Sequence, residues 1–507
     1  MTTDLNSLTS WYSEWKGLRV AVLGLGNTGF SVADTLTELG ASVLVVAAAA
    51  EDDRARLIPV IGATLYTGDL STVPIELTEF RPEVIVTSPG FRPDHTLIRW
   101  AAEAGIPVWG DVELAWRVRD KTGTPAEWIL VTGTNGKTTT TQLTAAMLAA
   151  GGARVAPCGN IGVPVLDAVR DPAGFDVFVV ELSSFQLHYL AQSTLPEPLS
   201  PFSSVCLNIA DDHLDWHGSR EAYIAAKGLV FENVRHACVY NKADPVTEHM
   251  VREADVADGA RAIGFDLGVP GPSDVGVVEG ILVDRAFHAD RHHSALEIIT
   301  VEELSHTGMS APHLVEDVLA ATALARSYGI APEEINLALR GFRADAHRVE
   351  TVLTAQEVTW IDDSKATNTH AARASLGAFP SIVWIAGGLL KGADPAELVR
   401  DFAPRLRGAV LIGTDRTELR AAFARHAPEV SVLEVEATDT RGVMTVAVEL
   451  AATLARPGDT VLLAPAAASM DQFSSYNDRG EKFAAAVTEK WGGAAAHDGH
   501  TDRPHTH

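Results

Sequence analysis

The chain has little cysteine, little positive charge and no long apolar run. Three cysteines in 507 residues, Cys158, Cys206 and Cys238, with no Cys-x-x-Cys spacing, leave no disulfide framework and fit a reducing compartment. No stretch approaches the roughly 18 apolar residues of a membrane span. The opening MTTDLNSLTSWYSEWKG lacks the apolar segment of a signal peptide, so a cytoplasmic protein is expected. Lys and Arg number 40 against 66 Asp and Glu, a net charge of −26. That balance excludes a broad nucleic-acid or anionic-membrane surface, and any anionic substrate must meet a local basic pocket. A Walker A loop in its common form is missing too: it needs a glycine six residues before its lysine, and before Lys137 that place is held by Val131.

What is present is an alternation of short β-branched runs with Ala- and Leu-rich stretches, the signature of an α/β fold with mostly parallel sheets. The length suggests about three domains at roughly 150 residues each. Runs at 19–23, 42–46, 84–87 and 107–109 predict the strands of a Rossmann-like first domain, 1–121, ending at the linker-like RDKTGTPAE. Runs at 128–131, 176–181, 205–209 and 237–240 predict a central domain, 122–344. Within it the Gly-, Asp- and His-rich stretch 255–310 reads as a meander, followed by a helix over 313–328. Runs at 358–361, 382–386, 409–412 and 460–463 predict a Rossmann-like C-terminal domain, 345–490. Residues 491–507, small, polar and His-rich, predict a disordered tail.

Several strand ends carry chemistry. GTNGKTTTT joins Gly133 and Gly136, which let backbone N–H groups turn inward, to Lys137 as a cation for β- and γ-phosphates and Thr138 as a hydroxyl for Mg²⁺. This predicts an ATP-type phosphate loop. VAVLGLGNTGFS has Gly24, Gly26 and Gly29 in dinucleotide-turn spacing, and TSPGFRPDH forms a second loop at the same sheet edge. The acid expected after the second strand is replaced by Ala47, which favours a diphosphate other than a nicotinamide dinucleotide. An apolar strand ends on Glu181, which reads as an Mg²⁺ ligand or as a helix N-terminal acid. DDHLDWHG offers His213 as a metal ligand, whereas Asp215 and His217 read as solvated loop residues. Lys227 sits among apolar neighbours on a helix, where a lysine ordinarily snorkels to water. In the third domain Arg348, Asp362, Asp363, Lys365 and Thr367 follow one another around a strand, with a helix cap as the plainer reading of Asp363 or Ser364. Lys391 and the loop after 463 make a possible pocket for a small acid.

Taken together, GTNGKTTTT, GNIG, ELSSFQL, DDHLDWHG, AAK, AHRVE and DDSKATN resemble, in the same order, the motifs of the Mur ligase family of peptidoglycan synthesis. ELSSFQL and SMDQFSSYNDRGEKF are most similar to the member that adds D-glutamate. The resemblance implies an ATP-dependent amide ligase that joins D-glutamate to UDP-N-acetylmuramoyl-L-alanine through an acyl phosphate, with Mg²⁺, acting as a monomer. It implies that Gly133, Thr134, Asn135, Gly136, Lys137, Thr138, Thr139, Asp317, Arg348, Asp363 and Lys365 bind ATP. It implies that Thr138, Glu181, His213 and Lys227, the last as a carbamate made from CO₂, hold the metal ions, with Lys137, His213 and Lys227 serving catalysis. Asn27, Thr28, Ser88, Gly90 and Asn160 would line the UDP-substrate, and Thr367, Lys391, Ser469, Met470 and Tyr476 the D-glutamate. The family's polar residue after the second strand is AAAA here, which leaves uracil to backbone groups; Leu314 and Asp317 stand where the family often has Asn. A ligase adding another amino acid, a nicotinamide oxidoreductase and a phosphate-loop switch protein are the alternatives.

Overall fold

The computed structural model describes residues 4–343, 347–436 and 440–491. The predicted tail from 492 onward and the predicted boundary at 344 and 345 lie outside them. The β-branched runs form the strands of three sheets. The first contains β1 (Arg19–Leu23), β2 (Ser42–Ala47), β3 (Thr64–Thr67), β4 (Val84–Thr87) and β5 (Val108–Gly110), all parallel in the order β3-β2-β1-β4-β5. The order in which strands are added reverses between β1 and β4, so the loops leaving those two strands flank the topological switch point, the usual ligand crevice of such sheets.

The second sheet contains β6 (Glu127–Thr132), β7 (Val155–Gly159), β8 (Val177–Glu181), β9 (Ser203–Cys206), β10 (Ala237–Asn241), β11 (Arg261–Phe265), β12 (Asp274–Val278), β13 (Ile281–Asp284) and β14 (Leu296–Thr300). The order is β14-β13-β12-β11-β10-β9-β6-β8-β7. The strands are parallel through β12, and β12 to β14 run antiparallel as the predicted meander. Strand β6 sits between β8 and β9, so the loops after all three meet at one edge.

The third sheet contains β15 (Glu350–Ala355), β16 (Val358–Asp362), β17 (Ile382–Gly387), β18 (Leu406–Ile412), β19 (Ser431–Glu434) and β20 (Thr460–Leu463), in the order β15-β16-β20-β17-β18-β19. Only the β15–β16 pairing is antiparallel. Strands β3, β7, β15 and β19 are additions to the sequence reading.

The chain divides into two compact units, Met1–Leu304 with Leu314–Phe342, and Ser305–His313 with Arg343–His507. In the first, one apolar core runs from β1 and β2 through Trp15, Trp109 and Trp128 to β6 and β8. Trp15 meets Trp109, and Trp116 meets Trp128, edge to face. Buried Arg117 bonds Glu113 and the carbonyls of Leu5 and Leu8, which ties the N-terminal segment down. In the second unit, separate apolar clusters cover the two faces of the third sheet. Among the described residues no helix is long and apolar enough to cross a membrane.

Candidate functional site

The phosphate loop joins β6 to the helix Lys137–Ala150, with Gly136 as N-cap at φ 84°. A Cβ on Gly136 would stand 2.2 Å from Asp317 Oδ1, so both the backbone conformation and the close approach require glycine there. Asp317 thus packs beneath the loop, and Thr140 Oγ1 donates to it at 3.4 Å. The loop is also held from β9: Thr134 N donates to the Asn208 carbonyl, and Asn135 N to Asn208 Oδ1. Thr134 Oγ1 lies 2.8 Å from the Tyr223 hydroxyl. Asn208 and Tyr223 were not singled out in the sequence, because their partners lie 73 and 89 residues away. Thr138 is buried, and the Thr139 hydroxyl is buried with no protein partner.

Two amines converge on this loop. Lys137 Nζ donates to the carbonyls of Gly133 at 2.9 Å and Thr134 at 2.8 Å. Lys227 Nζ donates to that same Gly133 carbonyl at 2.8 Å and to Thr132 Oγ1 at 3.2 Å. Lys227 does not snorkel; it is 2% exposed. Helix Arg220–Gly228 turns it inward against the Tyr223 ring. Burial, and then the neighbouring Lys137 charge, pull its amine down from the usual 10.5 to about 7.

Glu181 ends β8 with 1% exposure, and its Oε1 accepts Asn160 Nδ2 at 3.1 Å. It is not a helix cap: the following helix, Ser184–Ala191, is capped by Ser183 and Gln186 in a reciprocal box. His213 adopts φ 53°, with its ring against Phe185 and Nε2 3.4 Å from Asp212 Oδ2. Asp215 is exposed, as expected. His217 departs from the expectation of a solvated residue. It packs on Phe185 and Tyr223, lies 2.9 Å from Ser184 Oγ, and burial lowers its pKa to about 4. The short helix Leu214–His217 turns that ring inward, which the string DWHG does not reveal.

At the first sheet the Gly-rich turn and the 87–95 loop come together. A Cβ on Gly24 would stand 2.8 Å from Ser88 Oγ, and that hydroxyl is buried without a protein partner. Asn27 and Thr28 open the helix Asn27–Glu38, and Gly90 is exposed on the facing loop.

In the second unit, Asp363 follows β16 and Ser375 Oγ bonds its carboxylate. Burial raises its pKa to about 6. Neither Asp363 nor Ser364 caps a helix; Asn368 caps Thr369–Gly377. Lys365 lies over the Tyr476 ring, and Thr367 N donates to the Lys365 carbonyl. Arg348 Nε is buried without a protein partner. Leu389 and Ala468 pair as an isolated bridge, which brings the Lys391 and Ser469 loops side by side at the ends of β17 and β20. Ser469 is buried, whereas Met470 is 67% exposed and Lys391 is exposed. Arg479, not singled out in the sequence, is fully buried. It bonds Ser364 twice and the Ala467 carbonyl, and so ties the 364 and 467 loops to the helix Tyr476–Trp491.

Three family models match: Mur ligase MurD-like N-terminal domain over 18–110, Mur ligase middle domain over 131–325, and Mur ligase glutamate ligase domain over 347–467. A protein of Leifsonia xyli subsp. xyli named UDP-N-acetylmuramoylalanine--D-glutamate ligase is 63% identical over 99% of this chain and 98% of its own length. One of the same name from Streptomyces avermitilis is 54% identical over 94% of this chain and 99% of its own. Among solved structures, UDP-N-acetylmuramate-alanine ligase MurC of Thermotoga maritima shares the fold with a TM-score of 0.55 at 17% identity, covering 93% of this chain and 99% of that one. With models matched along most of its length and relatives this similar end to end, the chain belongs to the Mur ligase family.

Proposed function

We propose that this chain ligates D-glutamate to UDP-N-acetylmuramoyl-L-alanine, consuming ATP and releasing ADP and phosphate, in peptidoglycan precursor synthesis. Family membership and the shared name of the relatives support the reaction. The observation that carries the chemistry is the convergence of Lys137 and Lys227 on the Gly133 carbonyl, in the loop beside the strand that ends at Glu181.

The acid substrate's carboxylate attacks the γ-phosphorus of ATP, forming an acyl phosphate and ADP. The D-glutamate amine then attacks the acyl carbon, and the tetrahedral intermediate expels phosphate. In this reading Gly133, Thr134, Asn135, Gly136 and Thr139 cradle the phosphates, and Lys137 exchanges its carbonyl partners for phosphate oxygens and neutralises the growing charge. Arg348, Asp363 and Lys365 take the rest of the nucleotide. Thr367, Lys391, Ser469, Met470 and Tyr476 receive D-glutamate, and Asn160 faces the muramoyl part.

The donor set suits Mg²⁺. Glu181, held by Asn160, would be a hard oxygen ligand, and Thr138 and His213 would add ligands. When bound there, Mg²⁺ supplies positive charge to the transferring phosphoryl group. Two ammonium groups sharing one carbonyl oxygen repel each other, and Lys227 with its lowered pKa is the one able to become neutral. A neutral amine adds CO₂ and loses a proton to give a carbamate. Lys227 in that form faces Lys137 with the opposite charge and serves as a carboxylate-like ligand. The domain division that goes with this reading is 1–121 for the UDP-substrate, 122–344 for ATP and 345–490 for D-glutamate.

The test is phosphate release with UDP-N-acetylmuramoyl-L-alanine, ATP and a panel of D- and L-amino acids. D-glutamate is expected to drive turnover far above every other member. Equal rates with D-glutamate and D-alanine would overturn the assignment.

A further inference from the structure

The nucleotide turn at the first sheet carries a cation that its own geometry does not use. The helix Asn27–Glu38 begins at Gly26, which offers no side-chain cap, and its first turn contains no acidic residue. The positive end of a helix ordinarily attracts an acid. Here it faces a guanidinium instead: Arg54, from the helix Asp52–Val60, donates through Nη2 to Asn27 Oδ1, on the first residue of the helix. The remaining ion-pair partner of Arg54 is Glu51, whose side chain is 74% exposed, a pairing of small worth in water. Facing the same turn, the Ser88 hydroxyl is buried without a protein partner. The Ser88 hydroxyl and the guanidinium thus both reach the opening turns of this helix, and the acid at that guanidinium is the exposed Glu51.

We propose that Arg54 binds the diphosphate of the nucleotide substrate. It is delivered from the helix after β2, in a chain whose β2 end carries only alanines, Ala47–Ala50. This rests on the reading of the first sheet as the site of the UDP-substrate. Asn27 Oδ1 holds the guanidinium over the helix end, and its free N–H groups meet phosphate oxygens in the fork geometry that suits them. Glu51 is the partner released as the diphosphate arrives. Uracil is then left to backbone groups, while affinity comes from the phosphates.

The experiment is calorimetric binding of UDP and of UDP-N-acetylmuramoyl-L-alanine to the full chain and to Arg54→Ala, Arg54→Lys and Arg54→Gln, with steady-state kinetics alongside. Arg54→Ala is expected to weaken both ligands about 10- to 100-fold, the scale of a lost charge-assisted bond. Arg54→Lys should keep part of the affinity, and KM for ATP and for D-glutamate should stay put. The KM for the nucleotide substrate should rise with kcat nearly unchanged, because the contact serves ground and transition states alike. A thermal midpoint matching the wild type checks the fold, and Arg54→Gln replaces the alanine variant if that one is destabilised. UDP binding in Arg54→Ala or Arg54→Gln equal to wild type overturns the inference. A wild-type protein that binds neither nucleotide overturns the underlying reading of the first sheet instead.

Discussion

Lys227 shows what a residue's neighbours in sequence conceal. On its helix it follows an isoleucine and two alanines, and nothing local separates a snorkelling lysine from a buried one. Its acceptors, Thr132 and Gly133, are 95 and 94 residues away and meet it only once β6 is inserted between β8 and β9. Lys137 was legible because the glycines and threonines that serve it are contiguous. If Lys227 acts as a carbamate, Lys227→Ala should lose nearly all turnover and regain part of it with added short-chain carboxylic acids. Lys227→Arg should stay inactive, since a fixed cation beside Lys137 repels metal. Initial rates with and without acetate or formate decide the matter, and near-wild-type activity in Lys227→Arg would rule the carbamate out.

Among elements, buried parallel strands were the readable ones, because a run such as VFVVE can hardly be anything else. The strands missed in the sequence, VAPCG, TLYT, ETVLTA and SVLE, are short, polar or interrupted by proline, and are strands because neighbours hold them. Turns were less legible still. Between the described residues 347 and 350 the chain places His347 at φ 68° and Val349 at φ 46°, an unfavourable backbone for both. Three bonds hold it: His347 Nδ1 to Asp362 Oδ2 at 2.7 Å, His347 N to Glu350 Oε2, and Lys365 N to the His347 carbonyl. Asp362, with Glu350 and Glu481 nearby, raises the His347 pKa above 6.5. The charged pair therefore contributes stability fully below that usual value, and the contribution is lost as pH rises through the higher folded-state value. Asp362→Asn should cost about 1.5–3 kcal/mol in acid and less in alkali, the range of a bond to a charged group. Denaturant unfolding of both proteins near pH 6 and near pH 9 tests this, and an equal cost at both would remove the charge from the account.

For the whole molecule, acidity overall and basic groups locally are two sides of one design. A net charge of −26 repels anions at long range, so each anionic substrate needs a local cation, and the proposals place Arg54 at the first sheet, Lys137 at the second and Lys391 and Lys365 at the third. Composition asks for such pockets, and the motifs name candidates for most of them. Nothing in the stretch AEDDR marks its arginine as the candidate for the first; only its contact with Asn27 at the helix start does. Because the phosphate loop and the loops of Lys391 and Ser469, proposed for D-glutamate, belong to sheets with separate cores, the substrates should be separable by mutation. Lys391 stands at φ 52° on a loop bridged to the one that carries Ser469, and its exposed ammonium suits one carboxylate of D-glutamate. If Lys391 meets that carboxylate, removing it leaves the carboxylate without its cation, a loss of roughly 1–3 kcal/mol. Lys391→Ala should therefore raise KM for D-glutamate about 10- to 100-fold, while ATP affinity measured by calorimetry stays at the wild-type value. Lys391→Gly relieves the left-handed backbone and removes the same charge, so it should lose D-glutamate just as far. Recovery of D-glutamate use in the glycine variant would mean that backbone strain, not charge, explains the alanine result, and the amino-acid site would have to be sought on another loop.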